Sequence, residues 1–288
     1  MRNDQYKLNS HQRLLLSMLK DLDAVCRAED IRYMLFAGTA LGAVRHGGFI
    51  PWDDDLDILL PRGEYARLLD ALQRRLDPEM YYVQRAFSPH WPMQFSKLRL
   101  NGTTCIERFR AKDPAMHQGV YIDIFPCDNL ADGRVGRVLQ FLAAKVVIAK
   151  ALYARGYETS SLLKKSFMQL CRLLPLQPLR RCAERRGDAD TRDMHTFFAG
   201  SSRYGKSVFP RAWLTETVPM PFEDGAFPVS KHYDALLRRL YGDYQTPLPP
   251  EARGQKVHAV ILDLERPYTD YLEQQKTMRI DAYARSIR

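Results

Sequence analysis

Residues 51–61 read PWDDDLDILLP: four aspartates among five positions, then an apolar run that a proline stops. On an extended backbone side chains alternate between faces, so Asp53, Asp55 and Asp57 are expected on one face and Asp54 and Leu56 on the other. Their α-carbons would step by about 6–7 Å, close enough for Asp55 and Asp57 to converge on one divalent ion or to bridge a pair. Crowded carboxylates raise one another's pKa, so the pattern calls for a positive partner. Two other readings compete. An exposed acidic turn is the ordinary fate of an isolated pair of nearby aspartates. A calcium loop would use Asp53, Asp55, Asp57 and Glu64 at loop positions 1, 3, 5 and 12, but position 6 demands a glycine and here is Ile58.

Two neighbouring features favour chemistry. Gly38-Thr39 follows an apolar strand expected over 31–36 and opens a short helical stretch expected over 40–44. Backbone N–H groups at such a turn can hold phosphate oxygens. Downstream, Tyr121-Ile122-Asp123-Ile124-Phe125 sets one aspartate inside an apolar strand, where a charge is costly unless it meets a metal or an arginine. A glycine-threonine turn, a strand with paired aspartates and a third strand aspartate together form the pattern of nucleotidyltransferase-like folds.

Around this centre, Leu14, Leu15, Met18, Leu22 and Val25 recur at helical spacing behind Ser10 as the expected cap, and Glu29-Asp30 ends that helix. A strand is predicted over 56–60 and a helix over 64–76, with further strands over 81–86, 94–100, 103–107 and 120–125. From Gly133 to about Arg186 the chain is helix-forming, with breakers near Gly156, Pro175 and Pro178. A stretch rich in proline and aromatics follows, then a helix over 231–240, and a final helix is expected from Leu264 onward. The predicted fold is α+β: a nucleotidyltransferase-like mixed sheet flanked by helices, with a basic helical insertion. The expected division is a catalytic core over 1–130, the insertion over 131–205, and a C-terminal part over 206–288 that completes the catalytic domain.

With 288 residues, 45% of them hydrophobic and 27% charged, the chain can bury a full core and is neither disordered nor fibrous. No apolar run approaches the roughly 18–20 residues of a membrane helix, and the first residues lack the apolar centre of a signal peptide, so neither spanning nor export is expected. Five scattered cysteines without a Cys-x-x-Cys pair fit a reducing cytoplasm. The net charge of +9 is uneven. Residues 134–186 hold twelve lysines and arginines against two acids, a local net of +10, while the remainder is close to neutral. Any partner inferred from charge therefore concerns that segment.

The run FAGTALGAVRHGGFIPWDDDLDILLP, Phe36 to Pro61, closely resembles the signature of the LicD family of phosphocholine transferases, itself similar to that of the fukutin-related proteins. Weaker likenesses are Phe95 to Arg99, Tyr121 to Pro126, Tyr241-Gly242-Asp243-Tyr244, Pro249-Pro250 and His258. The basic stretch matches no motif of the family. The resemblance implies a metal-dependent phosphotransferase that moves a phosphocholine-like group from a CDP-activated donor to a sugar hydroxyl of a glycan or lipid-linked glycan, releasing CMP. It also implies Mg²⁺ or Mn²⁺ on Asp55, Asp57 and Asp123, with Asp53 or one of these three as base for the acceptor. Gly38 and Thr39 would form the phosphate turn. Arg45 and His46 are candidates for phosphate, with an ion pair to a nearby aspartate as the alternative for Arg45. Lys97 and Arg99 share a strand face and are candidates for diphosphate oxygens, or else line a solvated face. Trp52 could hold a quaternary ammonium or simply pack under its loop. His258 completes the candidate set.

Two other functions remain open on the sequence. The same site could transfer the nucleotidyl group itself, or the chain could be a basic, non-enzymatic binder of membranes or nucleic acid. The last leaves the aspartates unexplained, and no nucleic-acid-reading motif or interleaved aromatics appear, so no nucleic acid partner is expected. An anionic membrane surface is the partner expected for residues 134–186, placing the protein at the cytoplasmic face of a membrane.

Overall fold

The computed structural model describes residues 8–107, 113, 115–157, 159–184, 191–199, 203–247, 249 and 259–273. Helical spacing of apolar residues builds α1 (Ser10–Ala28), with Leu15, Leu19 and Leu22 fully buried. Its cap is Asn9, one residue before the expected Ser10: the Asn9 side chain accepts from the Gln12 N–H at 2.8 Å, and the Gln12 side chain closes a reciprocal capping box. There follow β1 (Met34–Leu35), α2 (Ala37–His46), β2 (Asp57–Pro61), α3 (Arg62–Arg75), β3 (Tyr81–Gln84), β4 (Ser96–Leu100), β5 (Thr104–Glu107) and β6 (Tyr121–Asn129).

The basic stretch folds as α4 (Arg134–Arg155), α5 (Leu162–Arg172) and α6 (Leu176–Glu184). Gly156 ends α4 in the left-handed region, at φ 93°. Pro178 was expected to break a helix, yet it lies in the first turn of α6, where its missing N–H would have had no helical acceptor. The chain then forms β7 (Asp193–His195), β8 (Val208–Pro210), α7 (Arg211–Thr215), the hairpin β9 (Thr217–Phe222) and β10 (Gly225–Ser230), α8 (Tyr233–Tyr241) and β11 (Ala259–Asp263). Of the tail expected to be helical, residues 264–273 hold a 3-10 turn at Tyr268–Tyr271, and the rest lies outside the described residues.

The central mixed sheet runs β1-β2-β6-β4-β3, with β7 on the far end of β6 and β8 on β7. β2 and β6 are parallel, and the other pairs are antiparallel. β6 is apolar on both faces because it is covered on both. On one face Ile58, Leu60, Leu98, Ile122 and Ile124 join α1 and α3 in the larger core. On the other, Leu59, Phe125 and Cys127 pack under Phe209, Leu214 and Leu236. β6 runs through Pro126, past the end expected at Phe125. The Asp123 N–H points to β2, donating to the Leu56 carbonyl, so residue 126 faces the opposite side. There β4 has ended at Ser96 opposite Ile124, and β7 begins only opposite Asp128, so the missing proline donor faces a gap in the ladder.

Candidate active site

The parallel register sets Asp57 directly opposite Asp123, and the antiparallel register on the other side sets Lys97 opposite Asp123. Directly paired residues point to the same face of a sheet, so β2, β6 and β4 present one polar row of aspartate, aspartate and lysine. All three side chains are buried. The aspartates at 53, 54 and 55 are in irregular backbone ahead of β2, so the expected alternation along a strand is not what brings them to the site. Asp54 turns to the last strand, accepting from the Ala259 N–H at 3.2 Å. Asp53 comes near the start of α2: a Cβ on Gly38 would lie 3.0 Å from its Oδ2.

Electrostatics register this crowding. Burial, then the charges of Asp55, Asp123 and Asp53, push the Asp57 carboxyl well above its ordinary range, with Lys97 pulling the other way. Asp123 is also raised, by burial first, although Lys97 opposes it. Lys97 Nζ sits 2.9 Å from Asp123 Oδ1 and 3.6 Å from Glu107 Oε1, over the Tyr121 ring at 3.2 Å from its centroid. Glu107 in turn pairs with Arg155 of α4 and accepts from the Tyr121 hydroxyl at 3.0 Å. Despite its burial, Lys97, Arg155 and Arg99 hold the Glu107 carboxyl well below the usual range.

Other candidates fall into two groups. Thr39 is buried, and its hydroxyl accepts the Asp57 N–H at 2.9 Å, tying the first turn of α2 to the head of β2. Gly38 precedes it in that turn. Arg45, His46 and Trp52 gather beside the acidic loop: the His46 and Trp52 rings meet edge to face at 6.5 Å, and Arg45 Nη1 donates to the Tyr244 carbonyl at 2.6 Å. Burial and the neighbouring Arg45 lower His46 to about 4, leaving a neutral ring at neutral pH. Trp52 also packs partly on the main core.

Lys97 and Arg99, candidates for diphosphate oxygens, do not line a solvated strand face, which was the alternative. Lys97 is 1% exposed and aimed at Asp123. Arg99 is fully buried, with Nε donating to Gln84 at 2.9 Å and Nη1 to the Gly119 carbonyl at 2.8 Å, which makes it a strut between β3, β4 and the approach to β6. His258 and Pro250 lie outside the described residues. Two residues near the aspartates are given no role in the site by the sequence. Tyr241 ends α8 near the aspartates: desolvation of its hydroxyl and the charges of Asp57, Asp53 and Asp55 push its phenol upward. Glu107, at the end of a predicted strand, gave no local signal, since only the fold brings it to Lys97.

Among the described residues no group of three or more histidine, cysteine or acidic side chains is drawn together as a metal site. The donor set nevertheless fits a hard divalent cation: two buried, in-register carboxylates whose charge is disfavoured, with Asp123 Oδ1 buried and in no hydrogen bond of good geometry.

Comparison with known proteins agrees with this geometry. Residues 30–132 match the family described as LicD/FKTN/FKRP, nucleotidyltransferase domain, a span that contains α2, β2, β4, β6 and the aspartate row. The chain is 27% identical over 263 residues to the lipopolysaccharide cholinephosphotransferase LicD of Haemophilus influenzae, covering 88% of this chain and 96% of that protein. Shorter matches, 44% identical over 55 residues, join 19% of this chain to uncharacterised proteins of Rickettsia prowazekii and Rickettsia typhi, covering 21% and 18% of those proteins. Residues 30–132, which carry the aspartate row, are thus similar to the nucleotidyltransferase domain of the LicD/FKTN/FKRP family.

Proposed function

We propose that this protein moves a phosphocholine-like group from a CDP-linked donor to a sugar hydroxyl of a cell-surface glycan precursor, with CMP leaving. The acceptor oxygen attacks the phosphorus that carries the head group, and the bond from that phosphorus to the bridging oxygen breaks. CMP departs with that oxygen, and the hydroxyl proton passes to a carboxylate of the Asp53, Asp55, Asp57 and Asp123 set. The observation that carries the reading is the side-by-side placement of Asp57 and Asp123 on parallel neighbours within the matched domain. The likeness to a lipopolysaccharide cholinephosphotransferase over most of the chain supports the same class of donor and acceptor.

Asp57 and Asp123, with Asp55 from the preceding loop, would hold Mg²⁺ or Mn²⁺. When bound, that ion supplies positive charge against the diphosphate and the leaving CMP. The chain's own residues do the rest. Lys97 fixes Asp123 in place and is itself fixed by Glu107, so the carboxylate meets its ligand preorganised. The first turn of α2, at Gly38 and Thr39, offers N–H groups to phosphate. Arg45, His46 and Trp52 form the adjoining wall, where an aromatic face suits a quaternary ammonium.

The test is incubation with a panel of CDP-linked donors and Mg²⁺ or Mn²⁺, scoring CMP release and acceptor mass. A gain of one phosphocholine-type group is the expected product. A gain of one nucleotide would assign the site to nucleotidyl transfer instead, and equal turnover in EDTA would remove the metal from the reading.

A further inference from the structure

Exposed apolar surface is concentrated in one part of this molecule. Of the fifteen large apolar side chains exposed among the described residues, ten lie between Val135 and Leu174. They are ordered. On α4, Val135, Val138, Leu139 and Leu142 recur at three- and four-residue steps and share one face, each more than half exposed. On α5, Leu163, Phe167 and Leu170 do the same beside Leu162, and the two leading leucines, Leu162 and Leu163, are 79% and 82% exposed. Leu173 and Leu174 extend this surface past the helix end.

These faces are not the ones that hold the helices to the protein. α5 docks on α4 through Met168 and Cys171, against Ala149 and Val146, and α4 meets the rest through Ala143, Ala144 and Val147. Leu139 and Leu142 do not pack on the core, since both are more than half exposed. The charge around these faces is of one sign: Arg134 leads into the α4 face, Lys164 and Lys165 flank the α5 face, and the whole segment 134–186 carries +10. Lys150 is spent within the fold, donating to the carbonyls of Cys171, Arg172 and Leu174, and Lys145 lies over the Phe141 ring.

We propose that α4 and α5 form a docking face for an anionic lipid bilayer, with the leucine and phenylalanine side chains entering the interface and the flanking basic residues meeting lipid phosphates. Among the described residues no helix is long and apolar enough to cross a membrane, so the face lies on the bilayer. The charge argues against a second copy as the occupant: a twofold interface here would set Arg134, Lys164 and Lys165 against the same residues of the other copy. Lipid phosphates complement it. This inference goes beyond group transfer and stands without it, because binding is read with no donor or acceptor present.

The test is flotation of the full chain with vesicles of phosphatidylcholine alone or mixed with phosphatidylglycerol, at low and high salt. Binding is expected only with the anionic lipid, and it should fade at high salt. The double variant Lys164→Glu/Lys165→Glu should weaken it by at least about tenfold, since each basic residue near the surface contributes about 1 kcal/mol. Leu163→Glu/Phe167→Glu, on exposed positions, should abolish it without lowering Tm. Absence of binding to anionic vesicles at low salt, or equal binding to neutral ones, would overturn the proposal. So would a dimer in vesicle-free solution that Leu163→Glu/Phe167→Glu dissociates, since that would give the face to a second copy.

Discussion

Asp57 bears its charge against burial and against three other carboxylates, with Lys97 on the opposing side. A carboxyl raised by the fold stabilises the native state while it is protonated, and that contribution is lost as pH rises through its folded pKa. Asp57→Asn keeps the shape and removes the charge. Without divalent cation the variant should therefore melt above the wild type at neutral pH, with the difference shrinking toward the ordinary carboxylate range. Added Mg²⁺ or Mn²⁺ should raise the Tm of the wild type and leave the variant nearly unmoved. Transfer should fall by about a hundredfold or more, the usual scale for losing one electrostatic element of a reaction site. A variant with wild-type turnover would take Asp57 out of the site. Asp57 and Asp123 were legible in the sequence because a charge in an apolar strand must be explained. Lys97 was named as a candidate but not in its role: alternation puts it on one face with Arg99, while only the register sets it opposite Asp123. Glu107 and Tyr241 were not assigned, since their closeness to the aspartates comes from chain returns that no local pattern encodes.

Elements with one clear period were legible almost to the residue, as α1 and α3 illustrate: apolar spacing decides both, and the fold merely buries the same stripe. The segment before β2 was not. Four aspartates read as extended strand, but pairing begins only at Asp57, and the preceding residues form a loop closed onto α2. That closure depends on a near approach of backbones. Gly47 ends α2 at φ 67°, its N–H and that of Gly48 returning to Ala43 and Gly42, and a Cβ on Gly42 would stand 2.4 Å from the Gly48 oxygen and 3.3 Å from the Ile50 nitrogen. Gly42→Ala should push the helix off this loop and cost about 1–3 kcal/mol, the range for overpacked interiors. Urea unfolding should report a lower midpoint at an unchanged slope. Turnover should fall as well, because the displaced loop carries Trp52 to Asp55. A midpoint equal to the wild type would mean that the two backbones part at no cost.

At the scale of the whole molecule, the helical layer of α4 to α6 is joined to the central sheet through His195 on β7. Its Nδ1 accepts the Phe197 N–H at 3.3 Å, which leaves the proton on Nε2 to reach the Ala183 carbonyl at 3.1 Å at the end of α6. Gln140 of α4 completes the contact, donating to the Asn129 carbonyl at 2.8 Å at the end of β6. The neutral ring satisfies both neighbours, and a second proton would break the bond from Phe197. Burial accordingly lowers His195 to about 3, from an ordinary 6.5. The unfolded chain then binds the proton that the native state refuses, so stability is fully present above pH 6.5 and is lost as pH falls toward 3. The slope from this one ring approaches about 1.4 kcal/mol per pH unit in the middle of that window. His117, at about 3, and His46, at about 4, act in the same direction, whereas the raised Asp57 and Asp123 act oppositely. A raw stability profile therefore mixes signs, and the measurement has to be a difference. His195→Gln and the wild type share every other group, so subtracting their urea-unfolding free energies at successive pH values from about 7 to about 5 isolates the ring. The variant should be the less stable at neutral pH, having lost the 3.9 Å stack on Phe197, and the gap should narrow steadily as the medium becomes acid. Parallel profiles would mean that His195 protonates in the native state as easily as in the unfolded chain, and the join between helices and sheet would not depend on its neutral form.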